Sequence, residues 1–180
     1  MMNALVVYRS CYGATRRYAE WISTMLSANL CEEKYLREEM LRSSDVIIFG
    51  SGIYAEKVAA AAMIARYAQQ LAGKTVALFA VGLADPEDEA VRVRVENALK
   101  KQLGDQFARV EKFYFRGALD TSRLKIAHKL ELRMLQAMLK RKKERTAEED
   151  GLLSALEQPV QFMKKEAIAP LLAFCRAHDA

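Results

Sequence analysis

Three short stretches of this chain carry residue types that could bind a ligand by polar contacts. The first is Ser10-Cys11-Tyr12-Gly13-Ala14-Thr15, which lies between an apolar run and a segment of helical periodicity. The start of a helix leaves several N–H groups without partners and carries about half a positive charge, so a loop feeding into one can hold a phosphate dianion without a lysine. Ser10 and Thr15 would add hydroxyl donors, and Gly13 would let the backbone come close to the anion. The loop is neither the G-x-x-x-x-G-K-[ST] pattern of triphosphate hydrolases nor the G-x-G-x-x-G of dinucleotide folds, which argues against both chemistries. The plainer role for Ser10 and Thr15 is capping of the helix with no ligand.

The second stretch is Gly50-Ser51-Gly52-Ile53-Tyr54-Ala55, read as a turn at the end of a strand. Its glycines would expose backbone groups to the polar edge of a flat ligand, and Ile53 or Tyr54 could cover a ring face. The third is Val81-Gly82-Leu83-Ala84-Asp85-Pro86, whose amides would lie at the other end of the same crevice, although Asp85 could equally serve only as a helix cap. Cys11 sits where a thiolate is favoured, but a bound phosphate beside it would oppose that charge, which disfavours a catalytic cysteine. His128 and His178 fall on helical segments far along the chain, and no Ser-His-Asp arrangement is visible, so no catalytic residue is assigned. The three cysteines, Cys11, Cys31 and Cys175, form no C-x-x-C pair, which argues against a disulfide framework or a zinc site.

These loops need strand ends to hold them. Residues 3–8, 45–50 and 75–81 are continuous apolar runs with β-branched members, as expected of parallel strands covered on both faces. Residues 30–35 and 107–115 are weaker strand candidates, and residues 36–44 read as a connection or a single helical turn. Helices are expected from Gly13 onward, with Tyr18, Trp21, Ile22 and Met25 facing the sheet, over residues 56–71, from Pro86 to Leu103, over 122–143, and over 159–177, with polar chain up to Gln158. Strands alternating with helical crossovers imply an α/β domain with a doubly wound, five-stranded parallel sheet in three layers, and 180 residues suit a single domain. Ligands of such sheets lie beyond the carboxyl ends of the strands, where the three loops fall.

The net charge of +5 is unevenly placed. Residues 121–145 hold nine basic side chains against Glu131 and Glu144, while the remainder is slightly acidic. Within this block Leu124, Ala127, Leu130, Met134, Leu135 and Met138 form an apolar stripe. The segment fits a membrane surface, a core contact against the sheet or a homodimer contact. The basic run can also be read as a solvated helix end. Nucleic acid is not expected, because no basic platform interleaved with aromatics is present. A receiver domain would need an acidic cluster at the end of the first strand, where this chain has Arg9 and Ser10.

Together the three loops resemble the flavin-binding loops of the flavodoxin family. The phosphate pattern there (a hydroxyl residue, two variable positions, glycine, any residue, threonine) is matched by Ser10, Gly13 and Thr15, and Tyr12 stands where many members carry a hydroxyl residue before the glycine. The stretches YRSCYGATRRYAEW (residues 8–21), VGLADPED (81–88) and RGALD (116–120) are similar to flavodoxin-domain proteins related to menaquinone-dependent protoporphyrinogen dehydrogenase. The resemblance implies FMN as cofactor, held by residues 10–15, by Ser51, Gly52, Ile53 and Tyr54, and by Val81, Gly82, Leu83, Ala84 and Asp85. It also implies an oxidoreductase working with a quinone, a porphyrinogen or a redox protein, with a basic helical insertion at about 121–158. The alternatives are a small flavodoxin-type electron carrier and a cofactor-free adaptor that uses its basic helix on a membrane. The expected location is the cytoplasm, with a peripheral position at the inner face of the membrane for the insertion.

Overall fold

The computed structural model describes residues 3–54, 57–120, 126–145 and 147–178. Five parallel strands form the frame: β1 (Ala4–Arg9), β2 (Asn29–Glu32), β3 (Val46–Tyr54), β5 (Thr75–Gly82) and β6 (Val110–Arg116), in the order β2-β1-β3-β5-β6. Counting only the parallel strands, this is the 2-1-3-4-5 order of one doubly wound fold, with its switch point between β1 and β3. Successive residues of each central strand enter opposite cores. Leu5 and Val7, Ile47 and Phe49, and Leu78 and Ala80 pack on one side; Val6, Ile48, Ala77 and Phe79 pack on the other. That alternation is why the strands read as unbroken apolar runs.

Helix α1 (Ala14–Leu26) and the last helix, α7 (Ala169–Ala177), cover one face; α2 (Glu38–Arg42), α3 (Ala59–Arg66) and α4 (Glu89–Leu103) cover the other. On α1 the buried residues are Thr15, Tyr18, Ala19, Ile22 and Leu26, so the buried stripe is centred further round than expected and Met25 is 42% exposed. The expected turn after residue 50 is strand. Residues 50–52 pair with Phe79, Ala80 and Val81 of β5, and Ile53 and Tyr54 then fold back on β4 (Lys57–Val58) as a hairpin. That hairpin takes the residues that would have begun the third helix, so α3 starts at Ala59; Ala55 and Glu56 lie outside the described residues. Pro86 belongs to a turn, and α4 begins only at Glu89, where the Asp88 carboxylate accepts from the Ala90 N–H at 2.9 Å. The fifth strand begins at Val110, after a 3₁₀ stretch from Gly104 to Arg109.

The chain leaves the frame at β7 (Ala118–Leu119) and returns at β8 (Val160–Gln161), which pair antiparallel. Between them lies a helical hairpin, α5 (Ile126–Arg141) and α6 (Ala147–Glu157). Helix α6 replaces the polar connection expected up to Gln158, and α7 starts ten residues later than expected because residues 160–168 are strand, extended chain and a 3₁₀ turn, with Pro170 in the first helical turn. The expected helix over 122–143 is described from Ile126; residues 121–125 lie outside the described residues. The hairpin builds a third core, centred on Leu119, Leu139, Ala155 and Leu156, separate from the two sheet faces. The stripe read from the sequence therefore spans two faces. Leu135 turns inward with Leu132 and Leu139, whereas Leu130, Met134 and Met138 are exposed. Tyr18 ties both ends of the excursion to the frame: its hydroxyl donates to the Arg116 carbonyl at 2.7 Å and accepts from the Lys164 N–H at 3.3 Å.

Candidate functional site: a cleft at the strand ends

At the carboxyl end of β1 the chain turns into α1 through Gly13, whose φ of 94° is a left-handed conformation that side chains resist. Ser10 stabilises the turn by accepting the Gly13 N–H at 3.1 Å, which leaves its own proton available. No side chain caps α1, and its first turn holds no acid. Thr15, in that turn, is only 3% exposed and lines the cleft, yet no described residue hydrogen-bonds its hydroxyl. A Cβ built on Gly13 would meet nothing within 4 Å, so there is open room over the turn. Uncapped amides, two hydroxyls with protons to give and open space make a receptor for a dianion.

The cleft above this corner has a volume of about 400 Å³, within the range of small-molecule sites. Of the residues named from the sequence, Ser10, Tyr12, Ala14 and Thr15 line it from the first loop. Gly52, Ile53 and Tyr54 line it from β3, and Val81, Gly82 and Leu83 from β5. Tyr54 bends back over Gly52, where a Cβ would come within 2.6 Å of the phenol, and its ring meets Tyr12 edge-on at 5.8 Å. Partial burial, with the Cys11 thiol beside it, raises the Tyr54 phenol well above its ordinary value and keeps it a neutral donor.

The other named residues have different surroundings. Cys11 is exposed, and Gly13 shapes the turn. Ser51 is buried and its hydroxyl is engaged internally, accepting from the Ala60 N–H at 2.9 Å and donating to the Gly52 carbonyl at 3.2 Å, which holds α3 against the strand. Ala84 lines an adjoining cavity of about 280 Å³ on the α4 side, bounded by Arg92 and Arg94 and sharing Ile53, Gly82, Leu83 and Leu152 with the main cleft. Asp85 locks its own loop: its carboxylate accepts from the Glu87 N–H at 3.0 Å and pairs with Arg116 at 3.3 Å.

Several contributors were missed by the sequence reading. Arg116 at the end of β6 donates to the Leu83 carbonyl at 3.3 Å, pairs with Asp85, and lies over the Phe162 ring at 3.8 Å, clamping the third loop to the returning chain. Gly117 lets that chain pass close to β5, since a Cβ there would stand 2.9 Å from Val81 Cγ1. Leu132, Leu135 and Leu152 bring the hairpin over the cleft as an apolar roof. Arg116 and Gly117 were visible only as part of the RGALD similarity, and the roof only as leucines of uncertain facing.

The family model described as Flavodoxin domain matches residues 5–146. The chain belongs to the flavodoxin-domain family. No curated protein matches it. Among solved structures, oxidised flavodoxin 2 from Bacillus cereus is 18% identical, with 86% of this chain and 95% of that chain covered and a TM-score of 0.47. A putative flavoprotein from Bacteroides eggerthii DSM 20697 is 17% identical over 65% of this chain and 87% of that one, with a TM-score of 0.47. A flavoprotein in complex with FMN from Lactobacillus acidophilus NCFM is 14% identical over 64% and 93%, with a TM-score of 0.43. The family match ends inside the hairpin, so α6 and the return to α7 lie beyond it.

Proposed function

We propose that this flavodoxin-domain protein is an FMN-dependent oxidoreductase whose electron partner is a lipophilic small molecule of the quinone or porphyrinogen class. The carrying observation is the corner at Gly13: an uncapped helix start beside Thr15, which lines the cleft and whose hydroxyl no described residue hydrogen-bonds, opening into a volume of about 400 Å³. The cofactor is FMN. Its phosphate fits the amides of residues 14 and 15 with the hydroxyls of Ser10 and Thr15, and a flat ring system fits the cleft lined by Tyr12, Tyr54, Ile53 and Leu83. When bound, FMN supplies electron or hydride transfer. The chain's residues orient it, and the leucines of the roof keep water from one side.

Two features support a lipophilic partner over a redox protein. The cleft is roofed by Leu132, Leu135 and Leu152, and the adjoining cavity on the α4 side is also largely apolar. A small electron carrier would instead be expected to leave its cofactor edge open to a protein surface. Among the described residues no helix is long and apolar enough to cross a membrane, so a lipophilic partner would be met at a surface. The test is anaerobic reduction of the FMN-loaded protein followed by addition of quinones or redox proteins in separate arms, with a porphyrinogen added to the oxidised protein in a further arm. Rapid reoxidation by a quinone, or oxidation of a porphyrinogen by the oxidised protein, is expected. Reoxidation by redox proteins alone would establish the carrier reading, and failure to acquire flavin absorbance in excess FMN would remove both.

A further inference from the structure

Helix α5 has two apolar faces and one of them is uncovered. Leu132, Leu135 and Leu139 face the hairpin core, Leu139 at 3% exposure. On the opposite side Leu130, Met134 and Met138 recur every four residues at 61%, 67% and 62% exposure, with exposed Ala137 among them. A contiguous apolar stripe of this kind is unusual on a free protein surface. Two groups of cations stand out among the described charges near it. Lys140 pairs with Glu157 at 2.8 Å, Lys142 with Glu149 at 2.7 Å and Arg145 with Asp150 at 2.6 Å, so these cations lie against α6. Arg133 and Arg141 are exposed and form no ion pair among the described residues. Helical spacing puts Arg141 in line with Leu130, Met134 and Ala137, and Arg133 along the edge of the stripe.

We infer that this face of α5 docks in the plane of an anionic lipid membrane, with Leu130, Met134 and Met138 entering the acyl boundary and Arg133 and Arg141 meeting the lipid headgroups. The form is that of an interfacial helix: one apolar side, cations with long apolar stems at its margin, and 16 residues that lie along a surface rather than span it. A second copy of the chain fits less well, because an antiparallel pairing through this stripe sets the Arg133 edges of the two helices against each other. The docked orientation has a consequence for the cleft. Leu132 and Leu135 of the same helix line it, so its roof would lie within about one helix diameter, roughly 10 Å, of the lipid. This inference stands apart from the choice of cofactor or partner, since it concerns the outer face of α5 alone.

The test is flotation of the full chain, supplied with FMN, on vesicles of phosphatidylcholine alone and of equimolar phosphatidylglycerol and phosphatidylcholine. Tighter partition to the anionic vesicles, by about tenfold or more, is expected for two cations contributing about 1 kcal/mol each. Combining Leu130→Ser, Met134→Ser and Met138→Ser should lower partition by about tenfold or more, because each substitution removes apolar burial in the lipid. Arg133→Gln with Arg141→Gln should erase the preference for anionic vesicles. Flavin absorbance and circular dichroism check that these variants fold, and Met134→Trp gives an independent reading, its emission shifting to the blue with anionic vesicles and being quenched by brominated lipid. No partition by the folded chain, partition indifferent to the serine triple variant, or a Met134→Trp emission unchanged by vesicles would overturn the inference. So would a concentration-dependent dimer that the triple variant abolishes, which would assign the face to a second copy.

Discussion

The corner at residues 10–15 and the α5–α6 hairpin meet across the same cleft but are held by different forces. The corner is made of backbone: a left-handed glycine, a serine accepting one amide, and a helix start left uncapped, all fixed by neighbours within a few residues. The hairpin is made of side chains, with Leu119, Leu139, Ala155 and Leu156 joining segments that lie more than thirty residues apart in the chain. A site built from backbone tolerates variation of side chains but not of conformation, and one built from a small apolar core behaves in the opposite way. The comparison therefore predicts separable failures.

The largest effect is expected from Leu139→Asp. A carboxylate placed at the centre of the third core has no partner, and the cost of burying it, about 3 kcal/mol or more, is avoided if the hairpin opens. Limited proteolysis should then cut within residues 120–158 at least tenfold faster, while FMN affinity changes by less than about tenfold, because the corner at residues 10–15 is untouched. Global unfolding of this variant would show that hairpin and frame are one cooperative unit and would break the distinction. Gly13→Val is the converse case. A β-branched residue at that φ costs about 2 kcal/mol or more in backbone strain, and relief of the strain displaces the amides. FMN affinity measured by fluorescence titration should fall by about tenfold or more, with the protease pattern of the hairpin unchanged.

Tyr18→Phe sharpens the comparison, since this hydroxyl links the frame to both ends of the excursion. Losing it should lower the urea unfolding free energy by about 1–2 kcal/mol and loosen the hairpin ahead of the frame. The smallest effect is on pH dependence and belongs to the frame. Burial pushes the Cys175 thiol up to about 11, and burial together with Glu96 and Glu111 pushes the Tyr114 phenol up to about 12. Both groups keep their protons in the folded chain where the unfolded chain releases them, so stability is full below about pH 9 and falls as pH rises through these values. Calorimetry from pH 8 upward should show that decline, and Cys175→Ala should flatten its portion between about pH 9 and 11.

The same contrast explains how much could be read from the sequence. β1, β3 and β5 were legible because both faces of each are buried and their side chains leave no polar interruption. The corner at residues 10–15 is legible as a loop into a helix because its residues are contiguous. Gly52, Ile53 and Tyr54 read as a turn in the sequence because the hairpin that extends the strand depends on pairing with Val58 and Lys57. Helix α6 is hidden in the sequence because Gly151 and the acids before Leu152 mask a short apolar stripe that serves a local core. Arg116 gave no signal of its own: its role comes from Leu83, Asp85 and Phe162, which the fold brings together from distant parts of the chain.

The central claim is that the helix start at Gly13 holds the phosphate of FMN, and comparing FMN with riboflavin tests it most directly. Titrating the purified apoprotein with each while following flavin fluorescence should give FMN an affinity about a hundredfold or more above that of riboflavin, because the dephosphorylated ligand forfeits several charge-assisted hydrogen bonds. Equal affinities for the two, or no binding of FMN at all, would contradict the account.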